Sequence, residues 1–128
     1  MSLLKAFTTQ INNLIIELYE VLPYNKDIAL NKTAIELLIS TNPRILYNAF
    51  VTYVMPYKNQ IMERDDAFFL NETIRSTDAV NRQVVKTLTI LRNSWSKLTE
   101  STQNNVWLYF AVLINLCERV MAAERNAV

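Results

Sequence analysis

The sequence predicts an all-α fold: a bundle of five or six helices around an apolar C-terminal helix, with residues 1–128 forming one domain. Three observations carry that expectation. The 128 residues include no Gly, where an average chain of this length has about nine. Hairpin turns, phosphate loops and dinucleotide folds lean on glycine's left-handed and close-approach backbone, so those architectures are disfavoured. Apolar residues recur in steps of three and four along most of the chain, which is the period of a helix face and not of a strand. Helix-capping residues precede these stretches, and Pro23, Pro43 and Pro56 fall where helices stop, start or break. Hydrophobic residues make up 51% and charged residues 20% of the chain, the balance of a globular protein.

The first predicted helix runs from Leu3 to Leu22, with a seam of Leu4, Phe7, Ile11, Leu14, Leu18 and Val21, Ser2 as its cap and Pro23 as its stop. The second runs from Asp27, its cap, to Ile39, burying Ile28, Ile35, Leu38 and Ile39. Asn42-Pro43 then restarts the pattern, because proline's missing N–H does no harm at the first helical position. The third helix carries Leu46, Phe50, Tyr53, Tyr57 and Ile61 on one face, and Pro56 predicts a break near Tyr53. Asp65 or Asp66 caps a short turn presenting Phe68, Phe69 and Leu70. From Asp78 to Leu98 the stripe Val80, Val84, Leu88, Leu91, Trp95, Leu98 defines the cleanest amphipathic helix.

Thr99 caps the last helix, which holds the most apolar run of the chain, Asn104 to Met121. Its core, Val106 to Cys117, contains Asn115, and a bilayer span needs about 20 apolar residues, so no membrane span is expected. A helix apolar on all sides is normally buried on all sides. This one is therefore predicted at the centre of the bundle, with an oligomer contact on one face as the alternative.

The inventory for catalysis is bare. There is no His, hence no imidazole base and no imidazole metal ligand. A single Cys117 cannot make an internal disulfide, and its apolar setting marks it as a buried small hydrophobe of a reducing compartment. Glu63, Asp65 and Asp66 are the only acidic cluster; oxygen ligands so spaced suit Mg²⁺ or Ca²⁺, but the glycine and alternating acids of a calcium loop are missing, and capping is the better account. Ser94-Trp95-Ser96-Lys97 matches a Ser-x-x-Lys nucleophile motif without its companion motifs. No enzymatic activity, cofactor or metal is expected. No signal peptide is visible, so an intracellular site is expected, and the sequons at Asn31 and Asn71 read as chance matches.

Two surfaces remain as candidates. Aromatic residues anchor protein contacts when exposed, and Tyr57, Phe68, Phe69, Trp107 and Tyr109 are the candidates for such a site, against core packing as the plainer reading. Phe68 and Phe69 are consecutive and cannot both face one neighbour. The alternative is an anion or nucleic-acid surface. Arg82, Lys86, Arg92 and Lys97 give the stretch Ala79 to Thr99 a charge of +4 within a chain of net +1, and Arg75 stands just before it.

Asn42-Pro43, Pro56-Tyr57, Asp65-Asp66-Ala67-Phe68-Phe69-Leu70, Trp95 with Leu98, and Trp107-Leu108-Tyr109-Phe110 together resemble small helical proteins of large nucleocytoplasmic DNA viruses. The resemblance spans about Pro43 to Leu116. It implies a small non-enzymatic protein of the virion or the host cytoplasm, and the abundant apolar surface with the bare catalytic inventory points to protein–protein interaction or assembly, by self-association or with other virion proteins, as a structural or virion-associated component. It brings no catalytic residue.

Overall fold

The computed structural model describes residues 2–69 and 81–126, and among them it holds six α-helices and no strand. Helix α1 (Leu3–Val21) begins where the Ser2 hydroxyl accepts the Lys5 N–H at 3.1 Å, and its last turn closes with the Leu22 N–H on the Leu18 carbonyl before Pro23. Helix α2 (Lys26–Thr41) starts one residue before the predicted cap. Asn25, not Asp27, holds the end: its side-chain oxygen accepts the N–H groups of Asp27 and Ile28 at 2.9 and 3.2 Å.

Helix α3 (Pro43–Tyr53) has proline at its start as expected, although the Asn42 side chain makes no capping bond. The break foreseen at Pro56 is present: a 3₁₀ turn, Met55–Tyr57, separates α3 from α4 (Lys58–Met62). Arg64 then adopts the left-handed conformation (φ 55°), a position glycine would fill without cost. The Asp65 N–H closes the end of α4 on the Gln60 carbonyl, and its carboxylate caps the 3₁₀ turn Asp66–Phe68 by accepting the Ala67 N–H. Helix α5 (Arg82–Ser94) tightens into a 3₁₀ turn at Trp95–Lys97; the predicted start at Asp78 and the stripe residue Val80 lie outside the described residues. Thr99 caps α6 (Glu100–Asn126) by accepting the Thr102 N–H at 3.1 Å.

Helix α1 packs on α6, α2 and α3; α5 packs on α2 and α3; α4 packs on α6. Their shared core is threaded by aromatic rings. Phe7 meets Phe50 at 5.3 Å between centroids, Phe50 meets Phe110 at 6.3 Å, and Phe110 meets Phe69 at 5.4 Å. Phe69 in turn lies against Trp95 and Trp107 at 4.5 and 4.7 Å. Edge-to-face, tilted and stacked pairs of this kind add attraction beyond the area they bury.

A buried polar clasp ties α2 to α5. The Asn31 carboxamide, 1% exposed, donates to the Gln83 backbone and side-chain oxygens at 3.0 and 3.1 Å and accepts from the Thr87 hydroxyl at 2.7 Å. Those contacts place the first sequon inside the protein; Asn71 lies outside the described residues.

Helix α6 departs from its predicted place. It buries Thr102, Val106, Trp107, Phe110, Leu113, Ile114, Cys117 and Val120, a single heptad-spaced face, and leaves Leu108 54% and Val112 43% exposed. Among the described residues it is an outer helix held by α1, α4 and the aromatic cluster, not a centre surrounded by the others. It is also long and apolar enough to cross a membrane by length and composition, with 39% of its most apolar 18-residue stretch buried. Apolar residues continue beyond Asn115 to Val120 and Met121, so the short run assumed from Val106 to Cys117 understated it.

Candidate interaction surfaces

The exposed ledge of α6 borders a groove against α1. The two helices run antiparallel, so Glu17 of α1 lies beside Asn105 of α6 while Gln10 shares the groove with Val112. The Asn105 side chain donates to Glu17 at 2.8 Å, and the half-buried Tyr109 hydroxyl is hydrogen-bonded to the same carboxylate. Burial pushes the Tyr109 phenol above its ordinary value, and the charges of Glu17 and then Glu20 push it the same way. Neither Glu17 nor Glu20 takes part in an ion pair among the described residues. Leu108 and Val112, one turn apart, form the apolar floor beside Glu17, and Glu20 lies further along α1 with Asn13 and Ile16. Tyr109 is thus the aromatic candidate that lines an open surface.

The other aromatic candidates are placed differently. Phe68, Phe69 and Trp107 are 0%, 2% and 5% exposed, which corrects the expectation that one of them stands out as a docking anchor. The 3₁₀ turn solves the problem of two consecutive rings by giving them different neighbours: Phe68 lies against Tyr57 at 5.4 Å, and Phe69 against the two tryptophans. Tyr57 is half-buried against that cluster.

On α5, Arg82 and Lys97 are exposed and Lys86 and Arg92 half-buried. Lys86 stands 3.4 Å from Asp27 of α2, which offsets one of the four charges. Arg82, Arg92 and Lys97 make no ion pair among the described residues, and Arg75 lies outside them. Glu63, Asp65 and Asp66 are exposed, and no group of three or more potential metal ligands occurs among the described residues.

Two further exposed leucines escaped the sequence reading. Leu30 and Leu37 of α2, 70% and 62% exposed, lie a heptad apart on its outer face. The signal was present, since α2 carries more apolar residues than one stripe can bury.

A cavity of about 20 Å³ inside the bundle is lined by apolar atoms alone; Thr87 borders it, and its hydroxyl is turned to Asn31 and the Gln83 carbonyl. That is room for about one water and no polar reason to hold it. Cys117 is fully buried, and its thiol is pushed up from 9.0 to about 12, first by burial and then by the charge of Glu118.

The thiol is therefore neutral and shielded in the folded chain, and thiol reagents are expected to modify it only after unfolding. Because its folded value lies above the unfolded one, its contribution to stability is complete below about pH 9 and declines as pH rises toward 12. Tyr47 and Tyr109, also raised mainly by burial, act in the same direction. Urea titrations at pH 8 and 10 should show Cys117→Ala losing less stability between the two than the parent; an equal loss would contradict this assignment.

Comparison with protein-family models, with curated proteins and with solved structures found no match.

Proposed function

We propose that this protein works by associating with protein, first with further copies of itself, through the α1–α6 face, and carries out no chemistry of its own. The observation that carries the reading is the ledge of Leu108 and Val112, exposed on the longest helix and rimmed by Glu17, Glu20 and Tyr109. Exposed apolar side chains set beside polar ones are the make-up of a contact surface. The viral resemblance supplies the setting in this reading, a virion or the host cytoplasm, and nothing in the comparisons bears on it. Helix α6 is read as a bundle helix and not a span, because Phe110, Leu113, Ile114 and Cys117 on its inner side belong to the shared core.

A second reading uses Arg82, Arg92 and Lys97, which make no ion pair among the described residues, to bind phosphates. Affinity for DNA would then fall steeply with added salt, and an affinity unchanged by salt excludes it.

Light scattering after size exclusion, over a concentration series, tests the main reading. The parent mass is expected to rise to a dimer or beyond. A Leu108→Ser/Val112→Ser variant should stay monomeric with its stability within about 0.5 kcal/mol of the parent, since both sites are on the surface. A parent that remains monomeric throughout, or a variant that associates equally well, contradicts it.

A further inference from the structure

We infer that copies of this chain join head to tail, the cationic outer face of α5 on one copy seating in the acidic, apolar-floored α1–α6 groove of the next. The inference rests on the self-association proposed above and names the two surfaces that meet.

Charge is segregated between them. The groove offers Glu17 and Glu20 without an ion pair among the described residues, together with the amides of Gln10, Asn13 and Asn105. Helix α5 with its 3₁₀ extension offers Arg82, Arg92 and Lys97 without an ion pair among the described residues, and Lys86 partly offset by Asp27 of α2. Arg82, Lys86, Thr89 and Asn93 fall within about 60° of arc at the helical period, and Lys97 follows in the 3₁₀ turn, so one ridge presents cations and short hydrogen-bonding side chains together. A convex ridge of that kind matches a groove whose rim is anionic and whose amides can accept or donate.

The two surfaces also belong to different parts of the molecule. Helix α5 packs on α2 and α3, whereas the groove lies between α1 and α6. A two-fold dimer built through one face alone would set groove against groove or α5 against α5. Either pairing places like charges face to face, which is unfavourable across an interface. A pairing of unlike faces that is not reciprocated within one dimer is heterologous: it closes into a ring or continues as a chain of copies.

Two variants, each disabling one face, test this. Glu17→Gln/Glu20→Lys blocks the groove while keeping a hydrogen-bonding side chain at position 17 for Asn105 and Tyr109. Arg82→Glu/Lys97→Glu blocks the α5 ridge at its two exposed cations. Helical circular dichroism and melting of each variant should match the parent.

Light scattering is expected to show each variant alone as a monomer, with association weakened at least tenfold. An equimolar mixture should give a 1:1 dimer that grows no further, because each member keeps one working face. A parent that associates while either variant associates equally well, or while the mixture stays monomeric, overturns the head-to-tail pairing and leaves self-association standing. A parent that is monomeric at every concentration overturns both.

Discussion

Replacing Phe69 with Ala is expected to cost about 3–5 kcal/mol of folding stability, the range for removing a large aromatic from a packed core. The ring touches four others, Phe68 at 4.9 Å, Trp95 at 4.5 Å, Trp107 at 4.7 Å and Phe110 at 5.4 Å, and so joins the 3₁₀ turn after α4 to the ends of α5 and α6. No small movement brings three or four elements into the space it would vacate. A loss of this size is a large share of the 5–15 kcal/mol that holds a typical domain together. Urea denaturation followed by fluorescence measures it, with Trp95 and Trp107 beside the cavity as reporters. The result also decides between two roles for the residue. A docking anchor exposed to solvent could be truncated with little effect on stability, so a cost below about 1 kcal/mol would contradict the buried position.

The second large effect is expected at Asn31. Its carboxamide makes three hydrogen bonds across the α2–α5 contact and is almost wholly removed from water. Asn31→Ala is expected to cost about 2–4 kcal/mol, combining lost hydrogen bonds, polar atoms left without partners and a small void. Thr87→Val keeps the shape but takes away the hydroxyl that Asn31 accepts at 2.7 Å, and should cost about 1–3 kcal/mol. Because the two side chains share one network, the double variant should fall short of the sum by more than about 0.5 kcal/mol. Strict additivity, or losses under about 0.5 kcal/mol each, would mean the clasp contributes nothing.

Much of this architecture was written locally. Ser2 and Thr99 lie directly before apolar periodicity, and a hydroxyl at that place has one natural partner, an N–H three residues on. Pro43 and Pro56 act through their own geometry, so a helix start and a helix break follow from them whatever surrounds them. Asp27 was expected as the cap of α2 and Asn25 holds that place; both side chains can accept from the backbone and stand two residues apart. The chain turn after Pro23 decides it, since it leaves Asn25 extended and Asp27 already in the first turn.

The rest depends on partners far away in sequence. The Asn31 clasp joins residues 52 and 56 apart, and the Glu17–Asn105 bond spans 88. No periodicity announces such pairings. The outward face of α6 was hidden for a different reason: Leu108 and Val112 are as apolar as the buried Leu113 and Ile114, so the wheel of that helix looks uniform. Only the positions of α1 and α4 show which side is covered. The same uniformity disguised Phe68, Phe69 and Trp107, whose burial depends on three elements meeting around them.

The central claim, that the α6 ledge is covered by a second protein chain, is tested most directly by the thiol of a Leu108→Cys variant. The native Cys117 is buried with its thiol protonated, so the new cysteine is the only one a soluble reagent meets in the folded chain. Its rate of modification is to be measured from dilute to concentrated protein, alongside the solution mass. The rate is expected to be that of an open thiol in dilute protein and to fall at least tenfold as the associated species forms. A thiol that reacts equally fast at every concentration while the mass rises would place the ledge in solvent and contradict the claim.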